Sequence, residues 1–500
     1  MEHLGQTHFP PTRSSPGPDK PGYLPVIQSD VQAKLAVVGA YCDTSSSGAL
    51  TVGWGLRNNG IAMSDFTAQN VFPDTATVNA AGHLMLGGCD VVDLAAEYGT
   101  PLYIFDEQTL RERCRSFVGE FQRRYADTRV VYASKAFANL ALTRLLVEEG
   151  LGVDVVSGGE MAMARAGGMP ADVVYFHGNN KSRRELEEAV AWGVGRVVVD
   201  NLYELGLLEE VAQAEGRIQE VMLRVTPGVD PHTHTYITTG TVDSKFGMSI
   251  VTGEAERGVR QAVSLTNLKL VGLHCHIGSQ IFETQPHQEA VRLTLEFAGQ
   301  MRELGLEMTE FSPGGGFAIP YTRDEKPPTI GEYAEAIVGV FDQRCKALGL
   351  ASPTLVIEPG RAIVGPAGVA LYTVGARKEI PGVRTYVSVD GGMGDNIRPA
   401  LYESLYEAVV ADRMDAAASE RVTIAGKYCE SGDILVRDVD LPLTEPGDLI
   451  ALPAAGAYCV PMASNYNMAV RPAVVMVLDG AARLIRRRET YEDLMAADVV

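Results

Sequence analysis

Eight short apolar strands follow one another between Val130 and Arg361, separated mostly by helix-patterned stretches, and their polar residues collect at the C-terminal ends. The ends read Tyr132-Ala133-Ser134-Lys135, Asp154-Val155-Val156-Ser157, Tyr175-Phe176-His177-Gly178, Val199-Asp200-Asn201, Leu223-Arg224-Val225, His274-Cys275-His276, Ser312-Pro313-Gly314-Gly315-Gly316 and Glu358-Pro359-Gly360-Arg361. Strands alternating with helices imply a parallel sheet, and eight such units in series imply a closed (β/α)8 TIM barrel. In barrels of this kind the reacting groups sit on the rim made by the strand C-termini, and phosphate is often held by the loops after the last two strands.

The helical stretches between strands carry apolar residues three and four apart, as in Leu140, Leu142, Leu145, Leu146 and in Leu202, Leu205, Leu208, Val211, so each has one face for the barrel. After Arg361 the pattern changes to strands alone, over Val369–Val374, Thr385–Val389, Val422–Lys427, Leu449–Leu452 and Ala473–Leu478, which predicts a second, all-β domain of sandwich or barrel type. A strand at Leu102–Phe105, preceded by a short helix over Val91–Tyr98, comes before the first barrel strand and is expected to join that second domain. The expected division is an N-terminal extension over 1–71, the barrel over 106–364, and a β domain built from 72–105 and 365–500. Residues 1 to about 30 are rich in Pro, Ser and Gly and are expected to be disordered.

A chain of 500 residues with 46% hydrophobic and 21% charged residues has ample core for two domains. A formal net charge of −20 and the lack of any Lys/Arg run argue against a nucleic-acid surface. Seven cysteines without a Cys-x-x-Cys pair suggest reduced, mostly buried thiols in a cytoplasmic enzyme. No apolar run reaches the roughly 20 residues that span a bilayer, and no metal is called for.

Lys135 follows an apolar strand, so its amine is expected to point into the barrel mouth. An isolated rim lysine is usually ion-paired, but a partly desolvated one has a lowered pKa and can form a Schiff base with an aldehyde cofactor. Gly314-Gly315-Gly316 follows strand seven, where missing side chains let backbone N–H groups approach a phosphate. Glu358 ends strand eight on the same rim, and a carboxylate there can keep a pyridine nitrogen protonated. Its plainer use is a salt bridge to a neighbour such as Arg361. His276, after strand six, can stack on a flat ring or simply be a core histidine.

These segments resemble the fold type III pyridoxal 5'-phosphate (PLP) decarboxylases, and within that family the branch acting on diaminopimelate. The resemblance rests on Tyr132-Ala133-Ser134-Lys135-Ala136, Asp154 to Glu160, His177-Gly178-Asn179-Asn180-Lys181, Asp243-Ser244-Lys245-Phe246-Gly247, His274 to Gln280 and Gly314 to Gly316. It continues through Glu358-Pro359-Gly360-Arg361, Arg398 to Tyr402, Cys429-Glu430-Ser431-Gly432-Asp433 and Gly456-Ala457-Tyr458. It implies that Lys135 carries PLP, that His276 stacks on its ring, that Glu358 pairs with its pyridine nitrogen, and that Ser279 and Gly314, Gly315 and Gly316 bind its phosphate. Asp154, Gly360, Arg361 and Tyr458 are implied cofactor contacts as well.

The resemblance further implies a homodimer in which Cys429 and Glu430 reach the active site of the opposite subunit, with Cys429 as the acid that protonates the carbon after carbon dioxide departs. No local cation marks Cys429 as reactive, and a buried packing thiol is its plainer reading. Tyr458 is implied to touch cofactor and substrate. A substrate with a distal carboxylate suits a guanidinium fork, and Arg361 and Arg398 with Tyr402 are implied in that role, with Glu430 on the distal ammonium. The activity so implied is decarboxylation of meso-2,6-diaminopimelate to L-lysine and carbon dioxide, the last step of lysine biosynthesis. The alternatives are decarboxylation of another amino acid or of a carboxylated polyamine precursor, racemisation, and a non-catalytic partner-binding relative. Arg361, Arg398, Tyr402 and Glu430 together oppose the first, with Arg398 deciding against ornithine because ornithine decarboxylases carry an acidic residue there; the Cys429 to Asp433 segment and the Arg398 motif oppose racemisation, and the retained Lys135, Glu358 and Cys429 oppose the last. Phe137 departs from the polar residue more usual beside the lysine motif. Residues 1–62 have no counterpart in the family pattern; translation from Met63 would make them an overrun, which mass spectrometry of the native protein distinguishes from a flexible tail.

Overall fold

The computed structural model describes residues 70–229 and 244–500. The stretch 1–62, the start at Met63 and Asp243 of the 243–247 segment lie outside the described residues. Chain order begins with three short strands, β1 (Thr77–Val78), β2 (Leu84–Leu86) and β3 (Cys89–Asp90), which form a small antiparallel sheet, then a helix over Val91–Tyr98 and β4 (Leu102–Asp106).

The barrel strands are β5 (Thr128–Ala133), β6 (Gly152–Val155), β7 (Val174–Phe176), β8 (Arg196–Val199), β9 (Gln219–Thr226), β11 (Leu268–His274), β12 (Glu310–Gly314) and β13 (Thr354–Ile357), with β10 (Met248–Ser249) added beside β9. All pair in parallel, and the ring closes because β8 pairs with β9 at Val197–Val221 while β13 pairs with β5. Alternation along the strands then sorts the side chains. Val131, Tyr175, Val198, Met222, Val271 and Val356 point inward and form their own apolar cluster. Their neighbours Val130, Tyr132, Val197, Val199, Leu223, Leu355 and Ile357 belong to the larger core that the outer helices cover.

Several of the polar residues at the strand ends serve the helices that follow. Asn139, Ser157 and Asn201 are N-caps, accepting from Leu142, Glu160 and Glu204 N–H groups, and Ser182 forms a capping box with Glu185. The strand-end pattern is therefore a mixture of caps and groups that face the barrel mouth.

After the barrel come β14 (Gly368–Ile380), β15 (Arg384–Val389), β16 (Val409–Val410), β17 (Glu420–Ala425), β18 (Ile434–Leu441), β19 (Leu449–Leu452), β20 (Ala473–Leu478) and β21 (Ala481–Arg486). They form a sheet in the order β18-β17-β15-β14-β4-β20-β21, with β19 also on β14. β4 lies antiparallel to β14 and parallel to β20, so a strand that precedes the barrel in sequence sits in the middle of this sheet. The expected barrel with an attached β domain is thus what the chain forms. The expectation of strands alone after Arg361 needs correcting: short helices at Arg398–Tyr402 and Tyr491–Met495 interrupt them. β16, β18 and β21 lie outside the expected strands as well, because β16 is two residues long, β18 carries Arg437, Asp438 and Asp440, and β21 carries Arg483 and Arg486, charges of the kind that sheet-edge strands bear.

The N-terminal end of the barrel is closed by charge. Glu310 is buried and accepts from Tyr175 Oη at 3.1 Å, Arg196 Nε at 3.0 Å and Arg129 Nη1 at 3.3 Å. Removing one member of such a cluster strands the others in a poorly solvated place. Glu310→Ala is expected to cost about 3 kcal/mol of stability, read as a lower urea midpoint, and an unchanged midpoint would show these ion pairs to be dispensable.

Candidate active site

With the lower barrel filled by the ion cluster and the apolar layer, open space remains at the C-terminal rim. A cavity of about 520 Å³ lies there, walled by residues of both domains, a size suited to a small ligand. Lys135 stands in a single 3-10 turn, Ser134–Ala136, directly after β5. Its neighbours are buried while Lys135 itself is exposed and lines the cavity. The expected partial burial of this amine is not found: among the described residues of the single chain, Lys135 is exposed.

Glu358 follows β13 and is buried. Ser312 Oγ donates to its Oε1 at 2.8 Å and His274 Nε2 lies 3.0 Å from its Oε2, with His177 Nε2 at 3.6 Å. Burial alone would raise its pKa, but His274, His177 and the hydrogen bonds outweigh burial and hold it well below the usual carboxylate range. Its partners are these three groups and not Arg361. Among the described residues His274 Nδ1 has no hydrogen-bond partner, which assigns the proton facing Glu358 to Nε2. Burial also holds His276 well below the ordinary histidine value, so its ring is neutral, and pushes His177 in the same direction against the pull of Glu358.

Asp154, near the end of β6, is buried, and its Oδ1 has no partner among the described residues. Burial pushes its carboxyl up to about 8 against the pull of Lys135, and the charges of Glu358 and Glu160 add to the shift. One rim thus carries one carboxyl whose pKa is held down and one whose pKa is pushed up.

A smaller recess of about 30 Å³ shares Lys135, Asp154, His276, Ser279, Glu358, Arg361 and Tyr458 with the main cavity and adds Gly316 and Gly360. Here glycine is required: a Cβ on Gly315 would lie 2.1 Å from the Glu358 carbonyl oxygen, and Gly316 has φ +101° with its Cβ position 2.7 Å from the Gly278 carbonyl oxygen. Two N–H groups of the triplet are used within the chain, Gly314 to Ser312 Oγ at 3.1 Å and Gly315 to His276 Nδ1 at 3.2 Å. The second bond fixes the His276 ring. Ser279 Oγ accepts from Arg361 Nη2 at 3.0 Å, so its own proton is directed elsewhere.

The β domain supplies the remaining wall. Tyr458, at φ +62°, donates its backbone N–H to the Ala136 carbonyl at 2.8 Å, beside Lys135, and its ring lies 4.7 Å from the Arg361 guanidinium. Arg398 is buried and lines the cavity with Tyr402. Cys429 and Glu430 do not join them: both are exposed and neither lines the cavity of its own chain. The exposed Cys429 is not the packing thiol of its plainer reading, whereas Cys89, Cys114, Cys275, Cys345 and Cys459 are buried.

Sequence reasoning left several lining residues without a role, among them His177, His274, Arg224 and Phe246. Arg224 is buried 3.9 Å from Asp200 and 4.5 Å over the Phe246 ring. The signal was available, since His177, Arg224 and His274 are all polar residues at or next to strand ends.

The set fits PLP. An open lysine amine, a carboxylate kept ionised some way behind it, a neutral histidine locked by a glycine N–H, and a glycine-tight recess with a serine hydroxyl and a guanidinium match its aldehyde, ring nitrogen, ring face and phosphate. The Asp154 shift gives a direct test without cofactor. An acid whose folded pKa is raised costs nothing below its unfolded value, costs more as pH climbs, and levels off above the folded value. In the cofactor-free protein Asp154→Asn should therefore raise the Tm, with the gain over wild type widening from about pH 5 to about pH 8.5; a lower Tm at the alkaline end would contradict the assignment.

Known proteins agree with this geometry. Residues 107–365 match the family model for the pyridoxal-binding domain of pyridoxal-dependent decarboxylases. A diaminopimelate decarboxylase of Bacillus subtilis (strain 168) is 49% identical over 426 residues, covering 85% of this chain and 97% of the relative, and one from Synechocystis is 46% identical over 86% and 93%. Among solved structures, diaminopimelate decarboxylase from M. jannaschii superposes with a TM-score of 0.80 at 37% identity, covering 86% of this chain and 98% of that one, and has also been solved with L-lysine. The chain therefore belongs to the PLP-dependent fold type III decarboxylases and, within them, to the diaminopimelate decarboxylases.

Proposed function

We propose that the chain decarboxylates meso-2,6-diaminopimelate to L-lysine and carbon dioxide, the last step of lysine biosynthesis. The observation that carries this reading is one cavity shared by an open lysine amine, an ionised carboxylate and the guanidinium groups of Arg361 and Arg398. When bound, PLP supplies an electron sink for the pair left behind as a carboxyl group departs.

The protein's part is positioning and proton control. Lys135 would hold the cofactor covalently, Glu358 would keep its pyridine nitrogen protonated, and His276 would pack against its ring. Gly314, Gly315 and Gly316 shape the phosphate recess, with Ser279, Gly360, Arg361 and Tyr458 beside it, and Asp154 lines the same end. Arg398 and Tyr402, with Arg361 and Tyr458, bind the substrate, and the fork of Arg398 suits the carboxylate that is retained. An acidic residue in place of Arg398 would suit a substrate ending in an amine alone, so its presence argues against ornithine and the polyamine precursors.

Cys429 and Glu430, exposed and outside their own chain's cavity, support a homodimer in which each subunit completes the other's site. Cys429 then delivers its proton to the carbon that has lost carbon dioxide, and Glu430 binds the distal ammonium. We place the enzyme in the cytoplasm on its composition and its free thiols; among the described residues no helix is long and apolar enough to cross a membrane.

Purified, cofactor-loaded enzyme should release carbon dioxide from meso-diaminopimelate and not from LL-diaminopimelate, L-ornithine or L-arginine; release from ornithine would overturn Arg398 as the discriminating residue. Lys135→Ala and Cys429→Ala should each abolish turnover. Mixed and re-equilibrated one to one, the two variants should regain about a quarter of wild-type activity, because half the dimers are mixed and each has one intact site. No recovery, or near-normal turnover by Cys429→Ala alone, would contradict the shared site.

A further inference from the structure

Two cations close to each other in one cavity repel, and something must hold Arg361 and Arg398 at a set separation. A single buried ring touches both. Tyr321, 5% exposed, lies on the loop after β12 and does not line the cavity itself. The Arg398 guanidinium carbon sits 4.5 Å from its ring centroid, and the Arg361 guanidinium carbon 5.7 Å from the same centroid. Arg361 Nη1 also donates to the Tyr321 hydroxyl.

The ring is itself fixed. Tyr406, 4% exposed, meets it edge-on at 5.3 Å and 77°, and the Tyr406 hydroxyl accepts from Arg398 Nη1. Ser404 Oγ accepts from Arg398 Nη2 at 3.1 Å. The loop carrying Tyr321 is pinned by Gln280, whose amide donates to the Ile319 carbonyl at 2.6 Å and accepts from the Ile319 N–H at 3.2 Å. Glu325 Oε2 accepts from the Tyr321 N–H at 2.6 Å. Tyr321 comes from the barrel and Tyr406 and Arg398 from the β domain, so the contact also sets the two domains' walls against each other.

We propose that Tyr321 is a positioning residue for recognition of the substrate's retained carboxylate: its ring face and hydroxyl hold the Arg398 and Arg361 guanidinium groups at the spacing a carboxylate bridges. The negative face of an aromatic ring favours a cation beside it, and here one ring serves two. The proposal rests on the function given above for its choice of ligand. L-lysine keeps the carboxylate of the centre that does not react, whereas cadaverine has no carboxylate, so the pair separates carboxylate recognition from everything else in the site.

The test is calorimetric binding of L-lysine and of cadaverine to cofactor-loaded wild type, Tyr321→Phe and Tyr321→Leu, with steady-state kinetics on meso-diaminopimelate alongside. Tyr321→Phe keeps the ring and loses the hydroxyl; it should weaken L-lysine about tenfold and raise KM about tenfold, leaving cadaverine affinity, the cofactor absorbance band and kcat within about twofold. Tyr321→Leu, which removes the ring as well, should weaken L-lysine further. L-lysine affinity within about twofold of wild type in Tyr321→Phe, or an equal loss for cadaverine, would overturn the proposal. Selective loss of L-lysine binding supports it even if the wild type releases no carbon dioxide from meso-diaminopimelate, an outcome that would reject the proposed reaction alone.

Discussion

Closure of the eight-stranded ring through the pairing of β8 with β9 is the constraint on which the rest depends. Parallel strands in a closed ring bring all their C-termini to one rim, so residues as distant in sequence as Lys135 and Glu358 become neighbours around one opening. The inward positions are filled from below, first by the Glu310 ion cluster and then by six apolar side chains. What remains for polar groups is the upper layer, where Asp154, Arg224, His274 and Glu358 are buried with little water to share. Low solvation there makes small differences in hydrogen bonding decisive. Two carboxyl groups on the same rim consequently differ in pKa, because Glu358 receives Ser312 and His274 whereas Asp154 has an oxygen without a partner among the described residues.

The β domain acts on this rim as a wall. β4, lying between β14 and β20, anchors the sheet to the start of the barrel. Tyr458 then bonds the carbonyl next to Lys135, and Arg398 is sandwiched against a barrel tyrosine. The cavity wall is therefore made by both domains, Lys135 and Arg361 from the barrel and Arg398 and Tyr458 from the β domain, and the joint between them is aromatic and cationic. Lys135 stays open to solvent, and Cys429 and Glu430 lie outside, in the single chain. In the proposed homodimer a second subunit would bring Cys429 and Glu430 to the mouth, so the proposed assembly and the proposed reaction stand together.

Much of this was legible from residues alone. Fully buried parallel strands appear as unbroken apolar runs, such as Val197-Val198-Val199 and Leu355-Val356-Ile357, and the polar residue after each run marks the rim. Period alone did not distinguish a cap from a site group, so Asn201 and Ser157 looked like Asp200 and Asp154. Depth was not legible: the position of Lys135 after β5 says where its side chain points but not what covers it. Edge strands such as β18 escaped because their charges break the apolar pattern. Tyr321 and Tyr406 escaped because loop residues have no period, and their importance lies in whom they touch. The partners of Glu358 come from β7, β11 and β12, and were named only as separate strand ends until the ring closed.

In the proposed reaction the barrel mouth is built around Lys135 as the attachment point of the cofactor. Reducing the cofactor-loaded enzyme with borohydride and mapping its peptides measures this directly. A single phosphopyridoxyl mass addition is expected on the peptide containing Lys135. Addition on another lysine, such as the buried Lys181 or Lys245 beside Phe246, with Lys135 unmodified, would contradict it.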